Sequence, residues 1–151
     1  VRVGLGVDGS SSNDSGHMLN EARQAMLLQR VKHSASVIGA RDVLRTATRG
    51  GAEVLRRENI GQIAPGFMAD IAIYDMHSVD LAGTHTDPLA ALVFCGPIKT
   101  THTIINGNLV VKHGQLTTMD LNALLRKNRK LSVDLGNSAY PEHYPKLHTI
   151  L

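Results

Sequence analysis

Residues 1–13, Val-Arg-Val-Gly-Leu-Gly-Val-Asp-Gly-Ser-Ser-Ser-Asn, decide how the rest of the chain is read. A β-branched, apolar run from Val1 to Val7 ends at one carboxylate, Asp8, and a Gly/Ser-rich loop follows at once. The pattern predicts a strand with an acid at its C-terminal tip, where parallel α/β enzymes carry their chemistry. The run opens the sequence with no Met and no turn signal before it. A strand feeding such a loop needs neighbours, because a lone strand leaves both edges unpaired. The expectation is that the chain is the tail of a longer enzyme.

A length of 151 residues suits one ordinary domain, and 42% hydrophobic with 19% charged residues is a globular balance. Aromatic residues make up 3% and Trp is absent, which argues against a stacking platform for single-stranded nucleic acid. The net charge of +3 is modest. Its one dense cluster, Arg126-Lys127-Asn128-Arg129-Lys130, follows Leu121, Leu124 and Leu125 and reads as the solvated last turns of a helix. No nucleic-acid partner is expected. A single cysteine, Cys95, excludes an internal disulfide and fits a reducing cytoplasm. Its setting, Ala-Leu-Val-Phe-Cys-Gly-Pro, predicts a buried, inert thiol. No apolar stretch is long enough to span a membrane, and residue 1 onward does not resemble a signal peptide.

Periodicity then divides the chain. Leu19, Ala22, Ala25 and Met26 fall on one face of a helix over residues 17–34, with Asp14 or Ser15 placed to cap it. A second helix is predicted over residues 40–57, with Gly39 as N-cap and Asp42 in the first turn. The Gly50-Gly51 pair weakens that helix or lets another backbone come close. Pro65-Gly66 marks a tight turn, residues 69–75 a short strand, and residues 88–94 a short helix. Asn106-Gly107, flanked by residues 100–105 and 109–112, is a strong hairpin signal because both turn positions favour positive φ. A final helix is predicted over residues 120–131, followed by a tail without periodicity.

Several of these stretches together resemble one family. Residues 4–14, Gly-Leu-Gly-Val-Asp-Gly-Ser-Ser-Ser-Asn-Asp, with Met18-Leu-Asn-Glu-Ala-Arg-Gln-Ala-Met, are similar to the last barrel strand and following helix of the amidohydrolase superfamily. Arg49-Gly-Gly-Ala52 and Ile60-Gly-Gln-Ile-Ala-Pro-Gly-Phe-Met-Ala-Asp-Ile71 resemble its closing helix and the return to its β-sandwich domain. Ile104-Ile-Asn-Gly-Asn-Leu-Val-Val111 resembles its terminal hairpin. The Ser-Asn-Asp loop and Asp87-Pro-Leu-Ala-Ala-Leu-Val-Phe-Cys-Gly-Pro97 look most like 8-oxoguanine deaminases and hydroxytriazine hydrolases. The resemblance runs over roughly residues 1–131.

The resemblance implies an α/β fold: the C-terminal end of a metal-dependent (β/α)8 barrel plus part of a small β-sandwich. Residues 1–58 would be the last barrel strand and closing helices, 59–117 the sandwich return, and 118–151 the C-terminal helix and irregular tail. It implies a zinc-dependent aminohydrolase that deaminates a purine-like or triazine heterocycle, 8-oxoguanine being favoured. Asp8 matches the carboxylate that binds the metal and passes a proton from the attacking water to the leaving ammonia. A metal that acidifies water beside a carboxylate able to take its proton is sound chemistry. Ser11, Ser12 and Asn13 are candidate substrate contacts at the pocket mouth, or else satisfy their own loop; Ser10 shares that position.

The family's remaining ligands include a His-x-His pair. None of the eight His here forms that pattern, and all of them follow Asp8. His17, at a helix start, is the one nearest the loop, with capping or surface use the plainer reading; His143 and His148 fall in the tail. The other zinc ligands are therefore expected upstream, and the segment by itself is expected to be inactive. Three alternatives stay open: an autonomous non-catalytic interaction domain, a barrel chlorohydrolase and a cyclic amidase. Homo-oligomer formation also stays open.

Overall fold

The computed structural model describes residues 1–139, which begin with a segment outside any helix or sheet and build up around three helices. Helix α1 is Met18–Lys32, and it buries Leu19, Ala22 and Met26 at the predicted spacing. Its cap differs from expectation. His17 is the N-cap residue and makes no side-chain cap bond, while Ser15 instead accepts from Asn20 Nδ2 at 3.1 Å. Neither Asp14 nor Ser15 caps the helix.

The second helical stretch begins as predicted at Ala40. The Asp42 carboxylate accepts the Gly39 N–H at 2.8 Å and closes the first turn of α2, Ala40–Arg45. It then widens into a π-helical turn, Thr46–Gly50, before α3, Gly51–Val54. Two hydroxyls act against regular α geometry here: Thr46 and Thr48 donate to the carbonyls of Asp42 and Leu44 at 2.9 and 2.8 Å. The helix ends at Val54, short of the expected residue 57.

Helix α4, Pro88–Phe94, matches its prediction residue for residue. Asp87 caps it by accepting the Ala90 N–H at 3.1 Å, and Pro88 takes the first position, where no N–H is needed. Ala22 and Met26 of α1, Ala40 and Val43 of α2 and Val93 of α4 form one core, with Leu5, Ile38, Leu44 and Ala90 packed on it. Because α4 contributes to this core, the expected segments 1–58 and 59–117 share a packed interior. A second, smaller core joins Leu81, Ala91 and Ile98, covered by Tyr74, Met76 and Leu92.

Strands β1 (Ile71–Ile73), β2 (His102–Ile105) and β3 (Asn108–Lys112) form an antiparallel sheet in that order. Ile71 faces Ile104 across the first pair, and a register irregularity at Thr103/Ile104 interrupts the second. The hairpin turn has both central residues at positive φ, Asn106 at 48° and Gly107 at 78°. It is tied back to the start of β1, since Asn106 N–H donates to Asp70 Oδ1 at 2.7 Å.

Val1 to Val7 pair with no strand among the described residues, and the segment is held through Leu5 in the helical core. One expectation fails in this part of the chain. Cys95, expected buried, is exposed, because it lies just past α4 at its C-cap.

The chain divides into two compact units, Val1–Gly114 and a second that starts at Gln115. The second holds the short strand β4, Gln115–Leu116, and helix α5, Leu121–Ala139. Asp120 Oδ1 accepts the Ala123 N–H at 3.0 Å at the start of α5. The helix extends past the predicted end at residue 131, so the Arg126–Lys130 cluster occupies its middle and not its last turns. His143 and His148 lie outside the described residues.

Candidate active site

The loop after Val7 is built around one carboxylate. Asp8 is exposed and sits at φ 60°, in the left-handed region that a non-glycine residue enters only at a cost. Its own side chain offsets part of that cost, because Oδ1 accepts the Gly9 N–H at 2.7 Å. Left-handed, non-glycine backbone collects at functional sites, where surrounding contacts hold it in place.

Those contacts come from Asn13. Its backbone N–H donates to the Gly9 carbonyl at 3.0 Å, and Ser12 N–H donates to the same oxygen at 2.9 Å. Its side-chain Nδ2 donates to the Val7 carbonyl at 3.0 Å and to Glu21 Oε1 at 2.8 Å. Its Oδ1 accepts the Ser15 N–H at 3.0 Å. Both amide hydrogens of Asn13 are thus engaged inside the protein. Ser10, Ser11 and Ser12 are exposed along the same loop.

His17 is close to the loop in sequence but faces elsewhere. It lines a cleft of about 600 Å³ with Leu44, Thr48, Tyr74, Lys99 and Thr100, and none of Asp8, Ser11, Ser12 or Asn13 borders that cleft. Its Nδ1 is buried without a hydrogen-bond partner among the described residues. In the same cleft, burial pushes the Tyr74 phenol above its ordinary value. Nothing in the periodicity of residues 17–34 signals this unpaired nitrogen, which depends on contacts from distant segments.

Asp8 can supply one ligand to a metal, and among the described residues no more is assembled around it. A catalytic zinc takes three protein ligands. Among the described residues, no group of three or more His, Cys, Asp or Glu is placed to hold a metal. Two imidazole pairs do meet, His77 with His85 at 5.9 Å and His102 with His113 at 4.9 Å between ring centres, but neither gathers a third ligand. The residues present therefore fit a single position in a metal site. No helix among the described residues is long and apolar enough to cross a membrane.

Comparison with known proteins places this loop in a lineage. The chain is 42% identical over 127 residues to 8-oxoguanine deaminase of Pseudomonas aeruginosa, a match covering 84% of this chain and 28% of that protein. It is 39% identical over 132 residues to hydroxydechloroatrazine ethylaminohydrolase of a Pseudomonas species, covering 83% and 27% respectively. The crystal structure of atrazine chlorohydrolase from Arthrobacter aurescens complexed with zinc superposes with a TM-score of 0.79 at 34% identity, covering 87% of this chain and 30% of the other. An adenosine deaminase from Xanthomonas campestris with bound zinc gives 0.80 at 31%, with coverage of 87% and 30%. The chain spans less than a third of the length of each of these four proteins. Residues 1–110, which contain the Asp8 loop, both cores and most of the sheet, match the amidohydrolase family profile. On these grounds the chain belongs to the amidohydrolase family.

Proposed function

We propose that these residues form the C-terminal part of a zinc-dependent aminohydrolase that removes an amino group from a purine-like or triazine heterocycle. The observation that carries this reading is Asp8: an exposed carboxylate on constrained backbone, in a segment similar to an 8-oxoguanine deaminase. In the (β/α)8 barrel that the resemblance implies, Asp8 follows the last strand, and it would serve as one ligand of the metal. A bound zinc supplies acidified water and polarisation of the ring carbon.

The chain's own part is to move a proton. Oδ1 of Asp8 is held by the Gly9 N–H, and Oδ2 takes the proton of the attacking water. The same oxygen gives the proton up to the departing nitrogen. A C–O bond forms, the C–N bond breaks, and ammonia leaves with balanced protons. Ser11 and Ser12, exposed on the loop, would meet the ring at the mouth of the site. The remaining zinc ligands would come from other parts of a protein of the relatives' length. The substrate is a small heterocycle, with no role for nucleic acid or membrane.

The test is ammonia release by the whole protein from 8-oxoguanine and from hydroxytriazines, with Asp8→Asn alongside. Loss of a proton-transfer group costs about 10²- to 10⁴-fold, and a loss in that range is expected. Full activity in Asp8→Asn overturns the assignment. Chloride release from a chlorotriazine, without ammonia release, would instead favour the chemistry named for the Arthrobacter relative.

A further inference from the structure

We propose that Asn13 and Glu21 are positioning residues that fix Asp8 by holding the peptide group that leads into it and the carbonyl of the residue that follows it. The inference rests on the role given to Asp8 above. Asn13 reaches across that residue: its Nδ2 binds the carbonyl of Val7, immediately before Asp8, and its backbone N–H binds the carbonyl of Gly9, immediately after. One residue thus holds the peptide group that leads into Asp8, whose backbone stands at φ 60°, and the carbonyl of the residue that follows it.

Glu21 connects this clamp to the core. It receives the second hydrogen of Asn13 Nδ2 at 2.8 Å, from the first turn of α1. The next residue, Ala22, and Met26 one turn further on are both fully buried in the helical core. The path from packed core to reactive carboxylate is therefore Met26 and Ala22, then Glu21, then Asn13, then Val7 and Gly9. Each link is a hydrogen bond of 3.0 Å or less or a step along a packed helix.

The chemistry favours an amide at position 13. Asn offers two N–H groups and one carbonyl, and all three functions are used: Val7 and Glu21 accept, and Ser15 donates. An aspartate of the same shape would set a carboxylate against a carbonyl and a second carboxylate. A serine could satisfy only one of the two acceptors. Substrate binding by the Asn13 side chain would require breaking one of these bonds.

The experiment uses the whole protein with Asn13→Ala, Asn13→Asp, Glu21→Ala, Glu21→Gln and Asp8→Asn. It reads kcat and KM separately, together with zinc binding by the metal-free protein. Groups that orient a metal ligand typically change metal affinity or activity by about 10- to 100-fold when removed. Asn13→Ala is expected to lower kcat and weaken zinc binding in that range, with KM near that of the parent. Asn13→Asp is expected to be worse than Asn13→Ala. Glu21→Gln retains a carbonyl acceptor and is expected to keep parental kcat and zinc affinity, whereas Glu21→Ala loses both.

If Asn13→Ala fails to fold, the Glu21 pair decides: equal behaviour of Glu21→Gln and Glu21→Ala overturns the inference. A folded Asn13→Ala with raised KM and parental kcat also overturns it, since that is the signature of a direct substrate contact. The two proposals fail separately. An inactive Asp8→Asn beside unaffected Asn13 and Glu21 variants removes the positioning role alone, whereas a fully active Asp8→Asn removes the role of Asp8.

Discussion

The carbonyl oxygen of Val3 occupies the space where a side chain on Gly50 would begin. The contact is reciprocal, because a Cβ on Gly4 would lie 3.1 Å from Gly51 Cα and 3.2 Å from its nitrogen. The N-terminal segment therefore lies backbone to backbone against the π-helical turn, and this contact helps to place the chain that leads to Asp8. Gly50→Ala must displace main-chain atoms and is expected to cost about 1–3 kcal/mol, as overpacking does. Gly51→Ala is the matched opposite. A Cβ there meets nothing within 4 Å, and the backbone at φ −58° is helical. Removing a helical glycine without strain is expected to stabilise by up to about 1 kcal/mol. Urea-unfolding midpoints of the two variants should move in opposite directions; a shift of the same sign in both would show that the backbone contact is absent.

The hairpin between β2 and β3 supports a second prediction. Gly107 stands at φ 78° with open space around it, so Gly107→Ala adds no clash, only the conformational cost of a left-handed residue. That cost is about 1–2 kcal/mol. Asn106→Ala is expected to do similar harm, since Asn tolerates φ 48° better than Ala does. Thermal unfolding of both variants checks this, and an unchanged midpoint for Gly107→Ala would contradict the assigned turn.

The features legible in the sequence are those whose cause lies within a few residues. Helix α4 was readable from its Asp87-Pro88 start, and the hairpin from Asn106-Gly107, because capping and positive φ are local chemistry. The burial stripe of α1 was readable from its period, but its cap was not, since Ser15 is drawn to Asn20 instead. Val1 to Val7 have strand composition, yet a strand is defined by a partner, and among the described residues this segment is held by packing through Leu5 and by the Gly50 contact. The candidate site divides the same way. The sequence singles out Asp8 and Asn13, but no spacing rule shows one amide spanning Val7, Glu21 and Ser15.

Cys95 gives a third prediction. Its apolar neighbours suggest burial, but the buried residues of α4 are Ala91 and Val93, and Cys95 is exposed at the C-cap. The native chain is expected to react with a thiol reagent such as Ellman's at one equivalent per chain, at a rate that denaturant does not greatly raise. A thiol that reacts only after unfolding would restore the buried reading.

Arg41 and Asp87, 46 residues apart, meet through two parallel bonds of 2.9 and 3.0 Å, from Nη1 to Oδ2 and from Nη2 to Oδ1. The same carboxylate caps α4 through Ala90, so one side chain both starts a helix and ties it to α2. The Arg41 guanidinium, followed by the Ala90 N–H, holds the Asp87 carboxyl below its ordinary value. The carboxylate form is favoured in the folded state, so its contribution is present above the unfolded value near 4 and is lost as pH falls through the lower folded value. Asp87→Asn keeps a capping oxygen but no charge. Its unfolding midpoint should therefore lie below the parent's at neutral pH and approach it in acid below about pH 4. Because both side chains are open to solvent, salt should narrow the gap at neutral pH as well. Asp87→Ala, which loses cap and charge together, should remain destabilised at every pH. A gap between parent and Asp87→Asn that is constant from neutral pH to acid would show that the pair with Arg41 does not act on stability through charge.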